Sequence, residues 1–417
     1  MIKMKSSGVE WIGDVPEHWG LIRFKDKYRN RKEIVGDRVL DFERLALTLN
    51  GVVKRNKEDD KGLQPKDFDN YQIIEKGDFI FKMIDLQNIS TSRVGLSPFT
   101  GIVSPAYIRF TPKDGKENKF LYYYLMSLYF NCVYNSLGGD GVRSSLSAED
   151  MGNLICPLPD IETQRKICLF LDKKCNNIEH LISLQEEEIK KLKEYKSSLI
   201  SETVKFGLDK SVTYIDSGVS WIEKIPKHWE VVRHKNIMKK KKDICEKYNN
   251  DSVLSLTMNG VIKRDLDNPM GKMPSSFDGY QYINKGNLLL CLFDIDVTPR
   301  CVGLIKENGI TSPAYSQFEL ISNDYAPYYD YLLRMIDDNK YFLHLSKNLR
   351  SSLTEEDFGA IKTIRPPVKE QVEIANFLDK KCAIIEDLIG KKRDKIKSLQ
   401  EYKKSLIFEY VTGKKEI

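Results

Sequence analysis

Several signals that would indicate a metalloprotein, a membrane protein or a secreted protein are missing from this sequence. None of the eight cysteines belongs to a CxxC pair, so neither a zinc site nor a disulfide framework is predicted. No apolar run approaches the length of a membrane span, and the N-terminal MIKMKSSG has no secretory apolar segment. We therefore expect a protein of the reducing cytoplasm.

Motifs for catalysis are missing as well. An amino-methyltransferase needs an Asn/Asp-Pro-Pro-aromatic segment, and the only Pro-Pro lies in Arg365-Pro366-Pro367-Val368. Gly139-Asp140-Gly141 lacks the third glycine of a cofactor-binding loop, and the sequence has no His-Glu-x-x-His and no P-loop. We therefore assign no catalytic residue, no cofactor-binding residue and no metal ligand to this chain.

Residues 164–203 contain no proline or glycine and are dense in Glu, Lys and Leu. Their apolar residues recur at steps of three and four, a narrow seam typical of coiled coils, and the seam returns near the C-terminus at an offset of 207 (385 − 178). The predicted helix-pairing residues are Ile178, Ile182, Ile189, Leu192, Leu199, Ile385, Ile389, Ile396, Leu399 and Leu406. A helix of about 40 residues is roughly 60 Å long. We predict that the two helices pair, because either one alone would leave its apolar stripe in water.

The remainder of the chain is also duplicated. Trp…Pro-x-His-Trp, Asn-Gly-Val, Ser-Pro-Ala-Tyr and Arg-Ser-Ser-Leu each occur twice in the same order, at offsets from 210 (221 − 11) to 207 (350 − 143). Two long units are a different architecture from a solenoid of many short repeats. The predicted fold class is α+β: two mixed α/β domains separated by two long antiparallel helices that form a coiled coil, with internal pseudo-two-fold symmetry. The predicted boundaries are 1–157, 158–208, 209–364 and 365–417.

Each unit contains a predicted hairpin that ends in two cations. Leu45, Leu47 and Leu49 alternate before an Asn-Gly pair, which is a strong hairpin signal, and the pattern recurs in the second unit. The returning strands present Lys54-Arg55 and Lys263-Arg264. Contact with a phosphate backbone and a solvated strand end explain these pairs equally well. The net charge of +6 does not decide between them, since it does not by itself identify a nucleic-acid binder.

The loops that differ between the units are residues 56–70 against 265–279 and residues 87–100 against 296–309. We expect shared features to position DNA and divergent features to read bases. Within these loops, Arg93 and Arg300 have the donor fork that suits guanine, and Asn88 suits adenine.

Another pair of repeated segments precedes two predicted capping boxes. Arg143-Ser144 and Arg350-Ser351 lie before Ser147-Ala148-Glu149-Asp150 and its twin, where free backbone N–H groups favour an anion such as a DNA phosphate. The acid of each capping box opposes that reading, and a salt-bridged structural arginine fits as well. The lysine run 239–242 is most simply a solvated basic face.

These repeated motifs, together with a proline-rich segment and a Gln before Phe-Leu-Asp-Lys-Lys, resemble the specificity (S) subunit of Type I restriction–modification enzymes. The resemblance spans nearly the whole chain. It departs from the family pattern at Glu162-Thr163-Gln164, where the second unit has the commoner Lys369-Glu370-Gln371.

The resemblance implies two target-recognition domains that each read one part of a bipartite DNA sequence, and an asymmetric target because the domains differ. It also implies two methyltransferase (M) subunits and ATP-driven restriction (R) subunits as partners. S-adenosylmethionine, ATP and Mg would act in those partners, so this chain is expected to be non-catalytic and to bind none of them. Two alternatives are an enzyme fusion of the Type IIG kind and a coiled-coil scaffold with no role in DNA binding.

Overall fold

The computed structural model describes residues 3–49, 51–57, 67–86, 93–116, 118–138, 144–219, 221–268, 273–298, 300–346 and 351–417. The helices, in chain order, are α1 (Phe24–Lys27), α2 (Lys119–Phe130), α3 (Val133–Leu137), α4 (Ala148–Asn153), α5 (Ile161–Phe206), α6 (Ala326–Asp338), α7 (Tyr341–Leu345), α8 (Glu355–Ala360) and α9 (Val368–Val411). Within the described ranges, no helix has both the length and the apolarity needed to cross a bilayer.

The chain divides into two compact units. Unit 1 comprises Met1–Gln185 and Arg393–Ile417, and unit 2 comprises Glu186–Lys392. The division falls inside α5 and α9, so each unit contains part of both long helices.

Unit 1 is built on a four-stranded antiparallel sheet of order β4-β11-β8-β9. The unit also has the two-stranded sheets β1-β2, β3-β12, β5-β6 and β7-β10. The strands are β1 (Met4–Ser6), β2 (Asp14–Pro16), β3 (Gly20–Arg23), β4 (Tyr28–Asn30), β5 (Leu45–Thr48), β6 (Gly51–Lys54), β7 (Gln72–Ile74), β8 (Phe79–Phe81), β9 (Val94–Leu96), β10 (Gly101–Val103), β11 (Ile108–Pro112) and β12 (Ile155–Leu158).

Unit 2 repeats this plan with a sheet of order β16-β24-β21-β22. The smaller sheets are β13-β14, β15-β25, β18-β19 and a three-stranded β17-β20-β23. The strands are β13 (Tyr214–Val219), β14 (Ile222–Pro226), β15 (Glu230–Arg233), β16 (Met238–Lys241), β17 (Ile244–Cys245), β18 (Leu254–Thr257), β19 (Gly260–Lys263), β20 (Tyr280–Ile283), β21 (Leu288–Leu290), β22 (Val302–Leu304), β23 (Gly309–Thr311), β24 (Ser316–Leu320) and β25 (Lys362–Arg365).

The main core of each unit lies between its four-stranded sheet and its aromatic helix. In unit 1, Phe79 and Phe81 of the sheet and Tyr124 of α2 are fully buried in one apolar cluster. In unit 2, Leu288 and Tyr328 occupy a similar cluster. Helices α2 and α6 therefore supply core residues, and Trp19 and Trp229 are buried anchors, each 4% exposed.

The aromatic-rich segments 120–137 and 328–345 each form two helices and not one. Cys132 (φ 56°) separates α2 from α3, and Lys340 (φ 58°) separates α6 from α7. A residue in the left-handed region cannot continue a right-handed helix. The predicted capping boxes are confirmed, since Ser147 accepts from the amide of Asp150 and Thr354 accepts from the amide of Asp357.

Candidate nucleic-acid interface

Both predicted hairpins are present. Leu45 pairs with Lys54 in β5-β6, and Leu254 pairs with Lys263 in β18-β19. Each returning strand begins at a glycine with positive φ, which a hairpin turn of this kind requires. The cationic pairs therefore stand at the ends of β6 and β19.

The hairpin cations of unit 1 are exposed or half-exposed, but they already have protein contacts. Lys54 Nζ lies 2.6 Å from Glu43 Oε2 and 5.2 Å from the ring centroid of Phe99. The amide of Arg55 donates to the carbonyl of Arg44 at 2.9 Å. An exposed ion pair of this kind contributes little stability, so DNA phosphate can compete for the ammonium group.

The second hairpin has a matching arrangement. Lys263 is exposed and Arg264 is half-exposed. The amide of Arg264 donates to the carbonyl of Val253 at 2.8 Å, the counterpart of the Arg55–Arg44 bond. A phosphate-contacting role for Lys54, Arg55, Lys263 and Arg264 stays a prediction.

Arg93 does not present its fork to solvent. The residue is 1% exposed, and its guanidinium donates to the carbonyls of Ile84 (2.9 Å) and Asp85 (2.7 Å). Burial also lowers the pKa of Arg93. The side chain therefore organises the loop after β8, and this placement does not favour the predicted contact with guanine.

Arg300 is likewise engaged within unit 2 and is not the counterpart of Arg93. Its guanidinium lies 2.8 Å from Asp338 Oδ1 and 3.7 Å from Asp337 Oδ2 on α6. The backbone register shows the difference: the amide of Lys82 donates to the carbonyl of Arg93, and the amide of Cys291 donates to that of Cys301. Cys301 therefore occupies the position of Arg93, which the one-residue shift of the loop hid from the sequence comparison.

The predicted anion site before α4 gains no support from the geometry. Ser144 is 4% exposed, and its carbonyl accepts from the amide of Leu86. In unit 2, Ser351 has a φ of 43°, and its carbonyl accepts from the amide of Ile295. The predictions for Asn88, Arg143 and Arg350 lie outside the described residues.

Within unit 1, the segments of α5 and α9 run antiparallel. The rings of Phe170 and Tyr410 are 4.6 Å apart, and Lys403 Nζ lies 2.5 Å from Glu179 Oε1. Of the predicted pairing residues, Ile178 and Leu406 are buried in the main core of the unit, and Ile182 and Leu399 pack against it.

Within unit 2, the two helical segments are also antiparallel. Lys196 Nζ lies 2.7 Å from Glu386 Oε1, and Lys392 pairs with Glu188. The Lys196–Glu386 pair is the repeat counterpart of Lys403–Glu179 (403 − 196 = 386 − 179 = 207). The remaining predicted pairing residues are buried or half-buried: Ile189, Leu192, Leu199, Ile385 and Ile389 here, and Ile396 in unit 1.

Two buried glutamines explain why the Ser-Pro-Ala-Tyr motif recurs. Gln72 Nε2 donates to the carbonyls of Ser104 (3.1 Å) and Tyr107 (2.6 Å). Gln281 makes the same two bonds to Ser312 (3.0 Å) and Tyr315 (2.6 Å). The motif is therefore a turn fixed to β7 or β20, and the repeated Gln was the overlooked sequence signal.

Gln164 and Gln371, part of the family resemblance, have a similar structural role. Gln164 Nε2 donates to the carbonyl of Pro159 at 2.7 Å, and Gln371 Nε2 donates to that of Pro366 at 2.8 Å. Each buried amide thus satisfies the carbonyl of a proline that precedes a long helix.

Comparison with known proteins bears on these shared features. Residues 48–193, from the first hairpin into α5, match the family model described as the Type I restriction modification DNA specificity domain. This part of the chain therefore resembles a Type I restriction–modification DNA specificity domain. The resemblance predicted from the repeated motifs is therefore confirmed, and a function in DNA recognition is confirmed at the level of the family.

The chain is also similar to one curated protein and to solved structures over most of its length. The chain is 22% identical to the "Putative type I restriction enzyme MjaX specificity subunit" of Methanocaldococcus jannaschii, over 97% of this chain and 95% of that protein. A chain from a solved type I R-M system shares the fold at a TM-score of 0.64 and 14% identity, covering 95% of this chain and 98% of that chain. The HsdS subunit from Thermoanaerobacter tengcongensis gives a TM-score of 0.46 at 14% identity, with 96% and 98% covered.

Proposed function

We propose that this chain is the non-catalytic specificity subunit of a Type I restriction–modification assembly and reads a bipartite, asymmetric DNA target. The observation that carries the proposal is the recurrence in unit 2 of the sheet found in the specificity domain. Phe79 pairs with Leu96 and Phe110, and its counterpart Leu288 pairs with Leu304 and Phe318. Two copies of one DNA-specificity fold with unlike loops support two unlike half-sites.

The long helices set the distance between the half-sites in this proposal. Helix α5 has 46 residues and α9 has 44, so each is about 65–70 Å long. The antiparallel contacts within each unit support a coiled-coil spacer with pseudo-two-fold symmetry. A spacer of this length covers well over one turn of DNA at about 3.4 Å per base pair, so the bases between the half-sites go unread.

Methyl transfer and cleavage belong to partners in this proposal. Two methyltransferase subunits supply adenine methylation with S-adenosylmethionine, and restriction subunits supply cleavage with ATP and Mg. The missing catalytic motifs in the sequence support this division. The specificity subunit decides where both reactions occur, and it does so in the cytoplasm.

Two measurements test the proposed function. The full chain is expected to bind random-sequence duplex DNA, with an affinity that falls steeply between about 50 and 200 mM salt because phosphate contacts release counterions. Methylome sequencing of a host with and without the gene is expected to show the loss of one bipartite motif. A chain that binds no DNA at low salt, with an unchanged methylome, would instead be an interaction scaffold.

The spacer is tested separately by inserting one heptad after Ile189 and one after Ile396, which preserves the seam. The two insertions lengthen the helices by about 10 Å, or about three base pairs. The gap of the methylated motif should grow while both half-sites stay the same. A change in the half-sites at constant gap would contradict the spacer.

A further inference from the structure

Strands β4 and β16 form the same edge of the four-stranded sheets of unit 1 and unit 2. Asn30 of β4 faces Phe110, and Lys240 of β16 faces the counterpart Phe318, so the two strands align at an offset of 210 (240 − 30). At this offset, cations coincide at three positions in or just after the edge strand. These edge-strand cations are Arg29, Arg31 and Lys32 in unit 1 and Lys239, Lys241 and Lys242 in unit 2.

In unit 1, the alternation of side chains places Arg29 and Arg31 on the side of the sheet that carries the hairpin. Arg29 faces Thr111 on β11, and the amide of Arg31 donates to the carbonyl of Arg109 at 3.2 Å. Arg109 in turn faces Ile80, which packs in one apolar cluster with residues of the β5-β6 hairpin. We call this side of each sheet its hairpin face.

The arrangement in unit 2 is the same. Lys239 faces Glu319 on β24, and Lys241 faces Gln317. Gln317 also faces Leu289, which packs in one apolar cluster with residues of the β18-β19 hairpin. Lys239 and Lys241 therefore lie on the hairpin face, as Arg29 does in unit 1.

The hairpins themselves pack over the opposite edge strands. A Cβ at Gly95 of β9 would lie 2.7 Å from the side chains of Leu47 and Val52, and one at Gly303 of β22 would lie 2.8 Å from that of Leu256. Strands β9 and β22 are three strand spacings, or about 14 Å, from β4 and β16. The edge-strand cations therefore extend the basic surface of each hairpin to the other edge of the sheet.

Few acidic side chains neutralise the edge-strand cations, all of which are exposed or half-buried. Arg31 pairs with Glu33 (3.0 Å) and Glu75 (3.7 Å), and Lys239 pairs with Glu319 (3.6 Å). Exposed pairs of this kind contribute little stability, so another anion can compete for these cations. Within the described parts of the chain, no ion pair is formed by the other four, Arg29, Lys32, Lys241 and Lys242.

We propose, on the basis of the proposed function, that the edge-strand cations of each unit bind phosphates of the DNA backbone at the hairpin face. Their charge complements that of a duplex, and each unit holds three of them at equivalent positions. They recur although the loops of the two units differ, so they position the DNA without reading its sequence. The competing explanation is that lysine and arginine on an edge strand prevent sheets from pairing edge to edge.

The test uses the full-length chain and fluorescence anisotropy with two unrelated duplexes over a range of salt concentrations. The double variants Arg29→Gln/Lys32→Gln and Lys241→Gln/Lys242→Gln remove the cations that form no ion pair. Each double variant should reduce the slope of log affinity against log salt by about 1.8, because about 0.9 is lost for each phosphate contact. The reduction should be the same on both duplexes.

Lys395→Gln/Lys397→Gln is the matched control, because both lysines are exposed on α9 and the change in net charge is the same. It should keep the slope of the unaltered chain. An equal reduction in the control would reveal an effect of net charge alone and would overturn the inference.

Edge-strand variants that keep the slope of the unaltered chain would also overturn the inference. If those variants self-associate in size-exclusion chromatography, the cations protect the edge strand instead. The proposed function stands in each of these cases. If the unaltered chain itself binds no DNA, the proposed function and this inference both fail.

Discussion

At one place in the four-stranded sheet, two contacting side chains are charged in unit 1, whereas the corresponding two in unit 2 are neutral amides. Arg109, fully buried on β11, places Nε 2.6 Å from Asp78 Oδ2 and donates through Nη1 to the carbonyl of Ile73. In unit 2 the corresponding residues are Gln317 and Asn287, whose side-chain amides are joined at 2.9 Å. Burial raises the pKa of Asp78, and Arg109 opposes that rise.

The difference shows which parts of the repeat the fold constrains. The backbone register around Arg109 and Gln317 is the same, since they face Ile80 and Leu289. Both units place a joined pair of polar side chains there, and the pair is ionic in unit 1 and neutral in unit 2. Unlike side chains are therefore compatible with one scaffold, and this permits the two units to diverge.

The largest effect is expected from breaking the buried ion pair. Arg109→Gln leaves the Asp78 carboxylate buried without its cation and should destabilise unit 1 by about 3–5 kcal/mol. Adding Asp78→Asn recreates the amide pair of unit 2 and should restore most of that loss. Hydrogen exchange of the β8 and β11 amides, with unit 2 as internal reference, measures both variants. A double variant as unstable as the single would show that the two units are not interchangeable here.

Lowering the pH from 7 to 4.5 should destabilise unit 2 more than unit 1. His234 is fully buried where unit 1 has Phe24, and burial lowers the pKa of His234 from 6.5 to about 4. Between pH 6.5 and pH 4, His234 therefore binds a proton in the unfolded chain but stays neutral in the folded chain. Stability should fall by about 3 kcal/mol between pH 6.5 and 4.

His234→Phe should abolish that pH dependence in unit 2, and Phe24→His should introduce it in unit 1. Urea denaturation at pH 7 and pH 4.5 provides the measurement. An unchanged pH dependence in His234→Phe would exclude His234 as its source.

Substituting either of two repeated glycines by alanine should cause a smaller loss of stability, of the same size in the two units. A Cβ at Gly101 would lie 2.5 Å from the carbonyl of Glu43, and one at Gly309 would lie 2.3 Å from that of Ser252. Alanine at either position should therefore cost about 1–3 kcal/mol. Gly390→Ala, in a helix with open space around it, should gain up to about 1 kcal/mol. The urea midpoint of each variant measures the stability. If only one of the two alanine variants loses stability, the hairpins of the two units are anchored differently.

The smallest effect concerns the repeated ion pairs of the long helices. Double-mutant cycles with glutamine at Lys196 and Glu386, and at Lys403 and Glu179, should each give about 0.5 kcal/mol. Both coupling energies should fall with added salt, because these side chains are partly exposed. Coupling in only one cycle would contradict equivalent helix pairing in the two units.

Much of the fold could be predicted because its signals are local or repeated. The hairpins were predicted from apolar residues that alternate before Asn-Gly. The starts of α4 and α8 were predicted from the residues of their capping boxes. The antiparallel contacts of α5 and α9 follow the offset seam. The DNA-contacting residues were less predictable, because the sequence does not show whether the guanidinium of a loop arginine is exposed or buried. The guanidinium of Arg93 is buried and donates to three backbone carbonyls.

The duplication, the long helices and the resemblance to Type I specificity subunits follow from the amino-acid sequence alone, since they depend on spacing and order along the chain. Which polar residues are buried depends instead on how the strands pack. Gln72, Asp78 and Arg109 are distant from their partners in sequence, and they become a turn anchor and an ion pair only when the strands between them pair. The energy of a polar side chain depends on burial and partners, and the fold alone supplies both.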